Sequence, residues 1–152
     1  MLEPSNVTHV VQLAVAPVFF LTAVAGMISA VAGRLARIID RARVLEDRVR
    51  SSQDEAVIER GLRELEYLSK RGRISNWSIG LLTLCGSLIG LTIVLLFVGQ
   101  AWMAAGHHVA GVSFLAGGVS FIAALGCFMW ETVLATHLLN FNVLKAGREL
   151  RP

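Results

Sequence analysis

The sequence predicts an all-α integral membrane protein with three transmembrane helices and a cytoplasmic antiparallel helical hairpin between the first and second. Three observations predict it. The composition is that of a bilayer-embedded chain: 55% of 152 residues are hydrophobic and 16% charged, with a mean hydropathy of +0.63, well above an ordinary soluble domain. The basic residues are confined to two places, with 11 of the 14 Lys and Arg between Arg34 and Arg73 and the others at Lys145, Arg148 and Arg151. Outside them lie three long stretches without a basic residue, Val10 to Gly33, Ile74 to about Trp102 and Val112 to about Leu139. Each exceeds the ~20 residues that cross ~30 Å of hydrocarbon at about 1.5 Å per residue. The formal charge of +3 and pI near 9.4 therefore describe loops beside a membrane, and no nucleic-acid partner is expected.

Residues 1–9 read as a short translocated periplasmic tail. Ala30-Val31-Ala32 has the small-x-small pattern of a signal cleavage site, but the leader carries Glu3 and no Lys or Arg, and a basic segment follows the span. The first span covers 10–33. Pro17 lies inside it and lacks a backbone donor, so a kink is expected in its outer half, as structure or as a hinge.

Residues 34–73 form the charged hairpin. Leu35, Ile38, Ala42, Leu45 and Val49 recur at spacings of three and four, which carries the first helix out of the membrane on one apolar seam. Ser51-Ser52-Gln53 interrupts it, and Ser52 with Glu55 has capping-box spacing for a second arm. That arm packs back through Ile58, Leu62, Leu65 and Leu68 and ends at Gly72. The 11 basic and 8 acidic residues of the hairpin are mixed, as on a solvated face. The second span covers 77–102, with Trp77 and Trp102 as interface anchors; 103–111 is a periplasmic loop, 112–139 the third span and 140–152 a cytoplasmic tail. The positive-inside rule puts the N-terminus outside and the C-terminus inside the inner membrane.

Candidate functional residues start on the first span. At 100° per residue, Gln12, Val15, Phe19, Thr22, Gly26, Ser29, Gly33, Arg37 and Asp40 form one narrow, mostly small or polar stripe, bordered by Ala16, Ala23 and Ala30. Two readings stand. One is helix packing through small residues, with Gly26 and Ala30 four apart. The other is a pore in which several copies of this helix surround an axis, lined by Gln12, Phe19, Thr22, Gly26, Ser29, Gly33 and Arg37, with Arg34, Arg37 and Arg41 as a basic cytoplasmic mouth.

Glu131 is the most informative single residue. It lies nine positions before Asn140, about 13 Å inside the third span, where an unpaired carboxylate is costly. Ser113, Gly117, Ser120, Ala124, Cys127 and Ala135 share its face, so it points to protein, with Ser29, Thr22, Arg34 or Arg37 as partners. It is either a structural hydrogen-bonding group or an ion or proton site. Gly86 and Gly90 give the second span a close-packing face beside Thr83 and Ser87; Gly117 and Ala124 do the same for the third. Cys85 and Cys127 lack CxxC spacing and read as small buried hydrophobes. His9, His107 and His108 read as bystanders on the outer side. No P-loop, HExxH, GxSxG or CxxC occurs, so neither an enzyme, a cofactor nor a metal site is expected.

The runs Gln12-Leu13-Ala14-Val15-Ala16-Pro17-Val18-Phe19 and Arg34-Leu35-Ala36-Arg37-Ile38-Ile39-Asp40-Arg41-Ala42-Arg43-Val44-Leu45-Glu46, with Glu131 before Leu134 and Ala135, resemble a family of small bacterial membrane proteins known as a domain of unknown function. The resemblance spans nearly the whole chain. It implies a bacterial inner-membrane location and a three-span layout, and it implies no activity. Function is expected to be that of a homo-oligomer embedded in the lipid bilayer, an ion channel or pore with the first span at its axis. The alternative is a non-conducting scaffold or adaptor whose hairpin binds a protein or anionic lipid.

Overall fold

The computed structural model describes the backbone of residues 4–99 and 105–149 and the side chains of 11–98 and 108–136. Three helices make up the described chain: α1 (Pro4–Ser51), α2 (Glu55–Gly99) and α3 (Ala105–Glu149). All three are long and apolar enough to cross a membrane, the architecture of a multi-pass membrane protein. Trp102 and the side chains of His9 and His107 lie outside the described residues.

The helices are longer than the sequence divisions imply. α1 continues from its apolar half into its charged half without a break, and Pro17 sits buried inside it. Gly72 does not end a helix: α2 runs through it from Glu55 to Gly99. An interior glycine costs only about 1 kcal/mol against alanine, and a helix already fixed on both sides absorbs that. Gly72 instead faces Leu35 and Ile38 of α1, where a small residue lets the two helices approach. α2 also begins differently from the capping box expected at Ser52. Asp54 is the N-cap: its Oδ1 accepts from the Ala56 amide at 3.0 Å, and its carbonyl accepts from the Val57 and Ile58 amides. Ser52 Oγ accepts from the Asp54 amide at 3.2 Å and so steadies the turn rather than the helix.

Why these helices pack along one seam each is visible in the spacing of their buried positions. On α1 these are Ala14, Pro17, Val24, Val31 and Ile38; on α2 Gly61, Leu68, Ser75, Ser78, Leu82, Cys85, Ile89 and Thr92; on α3 Ala110, Ser113, Gly117, Ser120, Ala124 and Glu131. Steps of three, four and seven give the 3.5-residue period of knobs-into-holes packing.

Two compact units divide the chain, Met1–Val31 with Ile79–Ala124 and Ala32–Ser78 with Leu125–Pro152. In the first, the apolar segments of all three helices meet. Phe20 stacks edge-on against Phe121 with centroids 5.0 Å apart and lies 6.3 Å from Phe114. Gly86 faces Leu21 and Val24, and Gly117 is pressed against Ile89, whose Cδ1 lies 2.8 Å from where a Cβ would be. Hydroxyls join α3 to α2: Ser120 donates to the Leu81 carbonyl at 2.8 Å and Ser113 to that of Leu88 at 3.0 Å. With no hydrophobic gain between helices in lipid, such close approaches and hydroxyl bonds supply the cohesion.

In the second unit the charged halves of α1 and α2 form an antiparallel hairpin. The α1 seam Leu35, Ile38, Ala42, Leu45 and Val49 is buried or half-buried throughout. On α2 the opposing positions are Ile58, Leu65 and Leu68, whereas Leu62, expected in the same seam, is 55% exposed. Gly61 takes the buried place beside it, because the arms approach so closely that Val49 leaves no room for a side chain.

Candidate functional site

The charged half of the molecule holds a buried ionic cluster centred on Glu131. Every atom of its side chain is withdrawn from solvent. Arg71 of α2 donates to Glu131 Oε1 from both Nε (3.0 Å) and Nη2 (2.5 Å). Arg34 of α1 brings Nη2 to 2.9 Å from Glu131 Oε2. That second contact lies off the hydrogen-bond direction, so it acts through charge rather than an aligned bond. Two guanidiniums on one carboxylate leave the cluster with a formal charge of +1.

Both arginines are fixed by further neighbours. Arg34 Nη1 donates to Thr132 Oγ1 at 3.1 Å, and its guanidinium lies 5.1 Å from the centroid of the Phe128 ring. Arg71 lies 5.9 Å from the Tyr67 ring, and the Tyr67 hydroxyl donates to the Leu134 carbonyl at 2.6 Å. Glu131, Thr132, Phe128 and Leu134 all belong to α3, so nearly two turns of that helix face the two arginines. Of the partners read from the sequence for Glu131, Arg34 is one; Arg71 was not among them. The signal for Arg71 was present, since it is the last-but-one basic residue before the second apolar run, and an antiparallel hairpin returns it to the level of Arg34.

Beside this cluster opens a cleft of about 380 Å³, lined by Arg34, Arg37, Ile38, Arg41, Leu68 and Arg71. Arg41 is exposed and reaches across to Glu64, whose Oε1 accepts from its Nη2 at 2.7 Å and Nε at 3.2 Å. Arg37 is exposed and lines the cleft without an ion pair to Glu131 among the described residues. The three arginines of the expected mouth thus differ: Arg34 is paired with Glu131, Arg41 is tied to α2 through Glu64, and Arg37 lies exposed in the cleft.

The remaining stripe residues of α1 all lie on its exposed side. Gln12, Phe19, Thr22, Gly26, Ser29 and Gly33 are exposed, Phe19 to 73%, and nothing lies within 4 Å of a Cβ placed at Gly26 or Gly33. Thr22 and Ser29 donate their hydroxyls to the Val18 and Ala25 carbonyls of their own helix, at 3.4 and 3.1 Å. Of the small residues expected at helix contacts, Gly86, Gly117 and Ala124 are packed within the chain. Ala23 and Ala30 are exposed, and Gly90 has open space around it. Thr83 and Ser87 are likewise exposed and bonded to their own helix. Cys85 is buried, Cys127 half-buried, and both are free thiols. Among the described residues no three His, Cys, Asp or Glu side chains gather as a metal set.

Compared with known proteins, the chain matches over residues 14–141 the family model described as Protein of unknown function (DUF2721). No curated protein and no solved structure matches it.

Proposed function

Because the chain belongs to the DUF2721 family, whose function is unknown, its role is read from its own residues, and we propose a homo-oligomeric channel of the bacterial inner membrane. In this reading α1 lines the axis, the N-terminus is periplasmic, and the charged hairpin and C-terminus are cytoplasmic. The observation that carries it is the α1 stripe. A face built from Gln12, Thr22, Gly26, Ser29 and Gly33 is too polar and too thin to be ideal against lipid, yet it is exposed and meets no partner among the described residues. Copies of the same face around an axis give it one, and Phe19 supplies an apolar constriction. Glu131 is neutralised by Arg34 and Arg71 and takes no part in conduction. Arg37, on the stripe and exposed, then sets the sign of the inner mouth and favours anions.

Flux from liposomes containing the purified protein tests this. Conduction with anions preferred over cations is expected, lost in Thr22→Trp and Ser29→Trp and less anion-selective in Arg37→Gln. Impermeable liposomes at every voltage and pH would remove the channel reading.

A scaffold is the second reading, favoured by a groove of about 500 Å³ along the hairpin. Ile39, Val49, Leu62 and Leu65 line it, with Glu46 and Arg50 at one end. That is an apolar groove with charges beside it, room for a few side chains of a protein segment.

A further inference from the structure

We infer that the arginine cleft of the hairpin base is a binding site for the phosphate of an anionic phospholipid head group, held by Arg34, Arg37, Arg41 and Arg71. Charge is the first argument. Four guanidiniums line the cleft, and among the described residues two carboxylates contact them, Glu131 and Glu64, which leaves two positive charges in excess there. An excess of that size in a cleft of this volume attracts an oxyanion, and guanidinium forks match phosphate oxygens in pairs.

Preorganisation is the second. Arg34 and Arg71 are only 27% and 18% exposed, and their positions are set by Glu131, Thr132 and the faces of Phe128 and Tyr67. A guanidinium carries five N–H donors. Arg71 commits Nε and Nη2 to Glu131, and Arg34 commits Nη1 to Thr132 and sets Nη2 beside Glu131. Each keeps donors that the cluster does not use. The buried carboxylate therefore acts as a positioning group: it holds two arginines side by side that would otherwise repel, while leaving them net positive.

Level in the membrane is the third argument and selects a lipid. Arg34 is the first charged residue after the apolar run of α1, and Arg71 is separated from the apolar run of α2 only by Gly72 and Arg73. Charged groups at that boundary lie among head groups, and Ile38 and Leu68 give the cleft an apolar side suited to a glycerol backbone. The inference rests on the geometry of this unit and not on conduction, so lipid binding and ion flux can fail separately.

Native mass spectrometry of the full-length protein, titrated in detergent with phosphatidylglycerol or with phosphatidylcholine, is the test. The expected result is retention of phosphatidylglycerol over phosphatidylcholine, weakened roughly fivefold for each of Arg37→Gln and Arg41→Gln. Neither arginine touches Glu131, so both variants keep the buried cluster. Arg48→Gln and Arg60→Gln, away from the cleft, should bind as the unmodified protein does. Equal losses from the distal and cleft variants, or no lipid preference at all, overturn the proposal. Inorganic phosphate is the second probe: failure to displace the lipid supports a head-group site. Displacement at millimolar phosphate overturns the lipid assignment in favour of a free phosphate ligand at the same arginines.

Discussion

Glu131 shows how one residue changes meaning when its neighbours are known. A lone carboxylate in an apolar helix is expensive, whereas one held by two guanidiniums and shielded by α3 is a clamp among three helices. Removing Glu131 should cost up to about 3–5 kcal/mol, because two like charges, largely withdrawn from water, are left side by side without their counter-charge. Glu131→Ala is therefore expected to lower the thermal unfolding midpoint in detergent strongly, and Glu131→Gln less, since the amide oxygen can still accept from Arg71. Equal midpoints for Glu131→Ala and the unmodified protein would remove the clamp. Ser75 makes the opposite case. Its hydroxyl is buried without a hydrogen-bond partner among the described residues, so Ser75→Ala should leave stability unchanged or raise it by up to about 1–3 kcal/mol, read as an unchanged or higher midpoint.

Among the elements, the hairpin depends on its turn and on one close crossing. Asp54→Ala removes the cap of α2 and is expected to cost about 1 kcal/mol, read as faster amide exchange in the first turn after Glu55. At the crossing, Gly61→Leu forces a side chain against Val49, an overpacking cost of about 1–3 kcal/mol. Val49→Ala in the same chain should recover part of it. A double variant no more stable than Gly61→Leu alone would show that the crossing tolerates the larger residue by moving elsewhere. Gly72 and Gly61 have the same residue type and different surroundings. The first has ordinary contacts around its missing Cβ and the second has none of that space, which no local pattern distinguishes.

For the whole molecule, the prediction concerns association. Gly26 and Gly33 have open space where a Cβ would stand, so Gly26→Leu and Gly33→Leu should leave the single chain folded and alter only how copies associate. Mass photometry in detergent is expected to show smaller assemblies for both variants, with helicity unchanged. Assemblies of undiminished size would move the proposed subunit contact to another face, such as that of Thr83, Ser87 and Gly90, and an unmodified protein that is monomeric would remove the proposed oligomer.

The three apolar runs and their helical character follow from the sequence by itself, because hydropathy and the spacing of apolar residues are local properties that each helix must satisfy whatever it packs against. The α1 seam and the small face of α3 around Glu131 were legible for the same reason. Tertiary structure decided the rest. It extended α2 through Gly72, since packing against α1 outweighs one glycine's modest propensity penalty. It replaced Leu62 by Gly61 in the hairpin seam, since the distance between two helices is no property of either. Above all it chose Arg71 and Arg34 as the partners of Glu131. That choice joins residues 60 and 97 positions away in sequence, and only the antiparallel return of α2 and the packing of α3 bring their charges to one level.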